Sequence, residues 1–424
     1  MKRTALRSAL SLGGGIVLAA AMSSGLAATA NIVWAASPIA NVGLRAKLVQ
    51  MFEATYPNIH VTMVSQPTNT NTNRATLVTE ISSGSSTPDV FMGDVIWPAQ
   101  FGADGLALPL NKYLPSSFFS RFAPGLVAGA TYKGSVYGAP FFMDAGFLYY
   151  RKDLLAKAHL PVPKTWAQLK SEAQTLQSKH MVKYGFVWEG NSYEGLTCNW
   201  MEYLTDAGGS VFNKSGSKAT MDSPAAVKAL TFMKSLITSG VSPAAEVTFQ
   251  EPQAMSTFQA GNSAFLRNWD YAYAASQSKG SKVIGKVGVA PLPTFNAANY
   301  PGYSNIGGWN LYINPHSKNI KADLTFISWM TGVKAQTTMA TFASEIPSNY
   351  AVQKNAKVRA LNPVLRIVST VRLIARPSQT PQYPKISAAI YHNINAALAG
   401  SMSVSQALKT ANSQIQQALN PNAL

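Results

Sequence analysis

One cysteine, Cys198, stands in 424 residues. A single thiol excludes an internal disulfide and a cysteine-rich metal site, so the chain has to stand on core burial. Acids are the second shortage. Asp and Glu total 18 against 35 Lys and Arg, a formal net charge of +17, and charged residues make up 12% of the chain, about half the usual share. Such a positive balance raises nucleic acid as a partner. The basic residues are spread along the chain with no Arg/Lys tract, which argues against it. Carboxylates take up protons at low pH, so a surface poor in them changes its charge little on acidification. Two readings of this composition stay open: an acidic external medium, or attraction to an anionic cell surface.

Motifs for catalysis and cofactors are missing as well. The five histidines, His60, His159, His180, His316 and His392, are far apart, with no H-E-x-x-H and no pair at helical spacing. There is no G-x-S-x-G elbow, no phosphate-binding P-loop and no G-x-G-x-x-G. Neither a metal nor a cofactor is implied. Internal repeats and low-complexity linkers are absent, and no later stretch is long and apolar enough to span a bilayer. The first residues differ from the rest. Lys2, Arg3 and Arg7 precede an uncharged run of small apolar residues over 8–23, and Ala28 and Ala30 offer a small-x-small cleavage site. Residues 1–30 therefore read as a secretory signal peptide, which places the mature protein outside the cytoplasm, in the periplasm, secreted or at the cell surface. No cysteine lies near that site, so a lipobox is not expected.

What is present is a globular pattern, 47% apolar. A strand over 31–35, a helix over 44–56 and an alternating strand over 59–64 open the chain β-α-β, which points to an α/β layer with parallel strands. A helix around 77–81 leads to a strand over 88–93, and Asp94 follows at its carboxyl end, where open α/β sheets bind ligands. Helices are expected over 166–179 with Thr165 as N-cap, 194–207, 224–239, 253–260, 321–330, 386–398 and from 403, and strands over 184–187, 286–290 and 310–313.

Residues 137–155, YGAPFFMDAGFLYYRKDLL, carry one acid among aromatic and apolar neighbours, Asp144. Gly138, Pro140 and Gly146 punctuate the run, so the backbone bends near it. A carboxylate there has to be well hydrogen-bonded or partly wet. The residues alone leave it open whether Asp144 is a structural acid or a ligand site. An aromatic-plus-polar pattern recurs elsewhere, at Asp94 and Trp97, at Arg267 to Tyr271, at Gly307 to Asn310, and at Arg376 to Pro384. Sugars present apolar CH faces to aromatic rings and hydroxyls to carboxylates and arginine. Brought into one cleft, these residue types would make a carbohydrate site.

Eight segments then occur in order: PDVFMGDVIWPAQF (88–101), LPLNKYL (108–114), the 137–155 run, GFVWEGNSYEGL (185–196), FQAGNSAFLRNW (258–269), KVGVAPLP (286–293), GGWNLYI (307–313) and ARPSQTPQYP (375–384). In them the chain resembles the family 1 extracellular solute-binding proteins of ABC sugar importers, most closely the trehalose/maltose-binding group. The resemblance implies a two-lobe, maltose-binding-protein-like α/β fold (type II) with a hinge and an interlobe ligand cleft. The lobes would be 31–142 plus 311–346 and 147–306 plus 350–424, with crossovers near 143–146, 307–310 and 347–349. It also implies a monomeric, non-enzymatic receptor that hands a carbohydrate to a membrane-embedded ABC permease. By position, Asp94 and Asp144 become acceptors for sugar hydroxyls and Trp269 a stacking platform with Tyr271 beside it. Gly308 and Trp309 line the cleft near the hinge, Arg376 donates from the second lobe and Arg74 from the first, and Trp97 joins from the aromatic pattern. The chain departs from its relatives in two places. An early loop acid is replaced by a neutral stretch over 37–43, with Asn41 its nearest match, and the relatives' R-N-W-P-Y carries Asp270 in place of proline. A glycoside hydrolase using Asp94 and Asp144 as its carboxyl pair is the competing function, and a binder of a polyol or glycerol-phosphate is a third.

Overall fold

The computed structural model describes residues 29–37 and 43–420. Residues 1–28 of the candidate signal segment, and Asn41, lie outside the described residues. Strands β1 (Ala30–Ala36), β2 (Ile59–Ser65) and β3 (Val90–Asp94) alternate with helices Leu44–Glu53 and Thr70–Ser82. A short hairpin, β4 (Thr131–Tyr132) with β5 (Ser135–Val136), leads into β6 (Ala139–Ala145), and β7 (Phe147–Arg151) follows after one residue. Next come β8 (Tyr184–Val187), β9 (Ser263–Asn268), β10 (Val287–Ala290), the long β11 (Tyr303–Ile313), β12 (Ile346–Pro347) and β13 (Arg372–Ile374).

Two sheets result. The larger runs β12–β6–β11–β3–β1–β2, with β13 paired to β11, and the smaller runs β10–β7–β9–β8. The opening β-α-β unit is parallel, as expected for strands joined through a helix, whereas β11 lies antiparallel between β3 and β6. Each sheet has its own core. Trp34, Phe52, Phe91, Tyr312 and Phe326 pack on the first. Trp166, Phe186, Trp200 and Leu230 pack with Ile390 and Ile415 of the last two helices on the second. A third cluster joins Met143 and Ile346 of the first sheet to Phe147 and Leu266 of the second. Hydrophobic packing is thus continuous behind the point where β6 passes into β7.

Local chemistry accounts for most helix starts. Thr165 Oγ1 accepts from Gln168 N–H and caps the helix Trp166–Ser178. Ser223 caps Pro224–Thr238, whose first residue is the proline that tolerates this position. Several elements were not expected, among them β9 and the helix Val333–Ala343. The strand β9 lacks the two-residue alternation of a half-exposed strand because every one of its residues is buried. The helix Val333–Ala343 has mostly small and polar residues, and its buried face is built from Ala335, Met339, Ala340 and Ala343. β11 is also longer than the expected 310–313. Its two glycines would end an isolated strand, but Gly307 and Gly308 pair with Asp144 and Met143 of β6, and Trp309 to Ile313 go on to pair with β3.

Candidate ligand-binding cleft

β3 and β6 both pair antiparallel with β11, so their carboxyl ends reach the same edge of the sheet. That register sets the floor of a cleft. Asp94, the last residue of β3, lies across from Trp309, and Asp144 lies across from Gly307. Gly308 has φ +122°, and a Cβ there would sit 2.4 Å from the Phe142 carbonyl oxygen. A Cβ on Gly307 would come within 2.8 Å of the Trp269 ring. The glycine pair is what allows β6, β11 and Trp269 to meet.

The opposite side comes from the second sheet and the late chain. Trp269 and Tyr271 follow β9 directly and form a small cluster with Cys198. The Arg267 guanidinium lies 4.1 Å from the Trp269 ring centroid, and the Tyr149 hydroxyl donates to the Trp269 carbonyl at 2.6 Å, so the ring is fixed from behind. Arg376 spans the two sides. Its Nη2 donates to Asp94 Oδ1 at 2.9 Å and its Nη1 to Glu194 Oε1 at 3.0 Å. Glu194 opens the helix Glu194–Asp206, and its Oε1 also accepts from the Tyr383 hydroxyl at 2.6 Å. Asn71 makes a second bridge, accepting from Glu194 N–H at 3.0 Å and donating to the Tyr391 hydroxyl at 3.1 Å. The two walls therefore touch in this structure.

Between them lies roughly 690 Å³ of space that includes open solvent. Asp94, Asp144, Glu194, Glu251, Asp270 and Glu345 all line it. In a chain with 18 acids and 35 bases, a third of the carboxyls converge on one cleft. Arg45 and Arg376 are the lining cations, and both are occupied. Arg45 grips Glu345 in a two-pronged pair at 3.0 and 2.7 Å. Burial pushes the Glu345 and Glu194 carboxyls up, opposed by Arg45 and Arg376 respectively. Asp144 Oδ1 accepts from the N–H groups of Ala145 at 2.8 Å and Asp270 at 2.9 Å. Burial nonetheless pushes it up to about 7.

Of the residues singled out in the sequence, Asp94, Asp144, Trp269, Tyr271, Gly308, Trp309 and Arg376 meet here. Arg74 and Trp97 do not line this cleft. They line an adjoining recess with Asn71 and Tyr383, where Arg74 Nη1 donates to Gln100 at 3.2 Å. Trp97 is 2% exposed and stacks flat on Phe101, edge-on to Trp309, so it supports that ring from beneath. Sequence reasoning missed Glu194, Arg45, Glu345 and Glu251, and noted Asp270 only within the Arg267–Tyr271 pattern and as a departure from the relatives. An acid at the head of the expected helix 194–207 was a usable signal for Glu194. The Arg45–Glu345 pair, 300 residues apart, left none.

Several buried acids share the direction of Asp144. Burial raises Asp206, Asp323 and Glu172 to about 7 from ordinary values of 3.8, 3.8 and 4.5. Between about pH 4 and pH 7 the folded chain then holds more protons than the unfolded chain, so stability falls as pH rises. The melting temperature is expected to be higher near pH 5 than near pH 7.5 at matched ionic strength. A melting temperature that climbs through this window would contradict these assignments.

The profile of bacterial extracellular solute-binding proteins matches residues 35–337. A probable ABC transporter-binding protein of Deinococcus radiodurans is 36% identical over 365 residues, covering 84% of this chain and 86% of its own. Among solved structures, maltose-bound MalE3 of T. maritima is 34% identical with a TM-score of 0.86, covering 92% of this chain and 99% of its own. A solute-binding protein of Thermotoga lettingae bound with α-D-tagatose is 26% identical with a TM-score of 0.83, over 93% and 100%. The glycoside-hydrolase alternative for Asp94 and Asp144 falls with these matches, since these relatives are receptors. With its two α/β lobes and the cleft between them, the chain belongs to the bacterial extracellular solute-binding proteins and is not an enzyme.

Proposed function

We propose that this protein is an extracytoplasmic receptor for a sugar or polyol, and more narrowly for a disaccharide or short α-glucoside of the maltose or trehalose kind, which it delivers to an ABC import permease. One observation carries the reading. Asp94 and Asp144 flank the Gly307–Trp309 edge of one sheet, while Trp269 and Arg376 face them from the other side of the same cleft. Carboxylates accept from neighbouring hydroxyls, an indole covers the CH face of a pyranose, and a guanidinium donates to ring substituents. The lobes would be 31–142 plus 311–346 and 147–306 plus 350–424. Residues from both meet the ligand, so a bound sugar favours the closed form over the open one. The 34% identity to a maltose-bound protein supports a glucoside. A relative named mannitol-binding protein, of Pseudomonas aeruginosa and 26% identical over 390 residues, keeps polyols in view.

A thermal-shift panel of maltose, trehalose, sucrose, glucose, mannitol and ribitol tests it, because a ligand that binds only the folded state raises its melting temperature. At one hundred times its Kd, a ligand adds about 2.7 kcal/mol. Maltose or trehalose is expected to give the largest shift. A shift confined to the polyols would replace the glucoside, and no shift with any of the six would defeat the carbohydrate reading.

A further inference from the structure

Asp270 stands in the cleft without an ion-pair partner among the described residues. Its Oδ2 accepts from Ile346 N–H at 2.7 Å, while its Oδ1 is buried with no donor among the described residues. The residue is 1% exposed. Its own N–H donates to Asp144 Oδ1 at 2.9 Å, and the two carboxyl groups are hydrogen-bonding neighbours. Asp144 and Asp270 both line the cleft.

The surrounding charges do not neutralise this pair. Arg267 on β9 is the nearest cation, but Glu202 and Glu189 already hold its guanidinium. Arg45 is held by Glu345, and Glu345 adds a further negative neighbour to Asp270. From β7, the Tyr149 hydroxyl donates to the backbone carbonyls of Trp269 and Asp270 and not to either carboxyl. Tyr271 and Glu251 face the same space and bring no positive charge. Two carboxylates this close, away from bulk water, do not both ionise at neutral pH. Burial pushes Asp144 up to about 7 and Asp270 well above its ordinary range.

We propose that Asp144 and Asp270 act as one unit, two carboxyls sharing a single proton, and that this acid pair sets how tightly the cleft closes on an uncharged polyhydroxylated ligand. The shared proton supplies the donor that Asp270 Oδ1 otherwise lacks and leaves the pair one negative charge to accept from ligand hydroxyls. Opening the walls wets the pair and eases loss of the proton, so closure near neutral pH takes a proton up. The inference deepens the receptor reading, and only its ligand arm rests on that reading.

Carboxyl NMR of the ligand-free protein carrying ¹³C-labelled aspartate tests the pair directly. In the wild type, Asp144 is expected to titrate near neutrality. In Asp270→Asn, which offers a permanent amide donor, its midpoint moves down by more than about one pH unit. Should that variant fold poorly, Asp144→Asn gives the mirror experiment on the Asp270 resonance. An Asp144 midpoint unmoved by Asp270→Asn means that burial alone raises it, and the shared proton is refuted. The ligand arm is calorimetry with maltose in buffers of different ionisation enthalpy. Wild-type binding takes up a fraction of a proton, and Kd rises with pH by up to about tenfold per unit. In Asp270→Asn both dependences flatten, and equal proton uptake in the two proteins overturns the proposal. If maltose does not bind at any pH, the disaccharide reading fails, and the NMR arm alone decides the acid pair.

Discussion

Arg267→Met is expected to cost about 3–5 kcal/mol of folding stability, the range for removing one partner of a buried ion pair. Arg267 is 1% exposed. Its Nε donates to Glu202 Oε2 at 3.0 Å and its Nη1 to Glu189 Oε1 at 2.8 Å, with both carboxylates fully buried. Burial raises both acids and Arg267 opposes it. Without the cation they can remain buried only by taking up protons. The loss is therefore larger near pH 8 than near pH 5, since protonation is cheaper at the lower pH. Asn199 still donates to Glu189 and the Asn305 N–H to Glu202, which holds the damage below a full charge-burial penalty. Urea unfolding at the two pH values measures it. A loss under about 1 kcal/mol at pH 8 would show the network to be dispensable. Adding Glu189→Gln and Glu202→Gln should recover part of the loss, because the cost lies in orphaned charge and not in the Arg267 contacts themselves.

Trp269→Ala is expected to weaken maltose or trehalose binding by about 2–4 kcal/mol, roughly 30- to 1,000-fold in Kd, the scale of a buried aromatic hot spot. The indole is positioned by neighbours that survive its loss. Arg267 sits behind it, Gly307 leaves it room, and the Tyr149 hydroxyl bonds its backbone carbonyl. It belongs to a small cluster with Cys198 and Tyr271, outside the three main cores. The fold should therefore persist, with circular dichroism unchanged, while titration calorimetry loses its signal. Unaltered affinity would remove Trp269 from the ligand contact. Loss of both fold and binding would instead make the ring a structural element.

The α/β layering was legible because it is written in short-range chemistry. The first strands and helices alternate in apolar period, and Thr165 and Ser223 cap where side-chain oxygens reach backbone N–H groups. β9 was not legible, since a strand buried on both faces carries no alternation. Trp97 misled for a related reason. An indole three residues beyond β3 looks the same in sequence whether it faces a ligand or, as here, lies flat on Phe101.

By itself the sequence determined the reach of the chain: an apolar α/β protein without disulfide or metal motif, poor in acids, with ordered segments that carry a family likeness. Tertiary structure decided what the acids do. Asp94 and Arg376 are 282 residues apart, and Asp144 and Asp270 are 126 apart. Strand register and the β6–β7 crossover bring them to bonding distance. No local pattern encodes such a meeting. Burial then sets which carboxyls keep a counter-charge and which must keep a proton, because the cost of an ionised group depends on the water and dipoles around it and not on its neighbours in the chain.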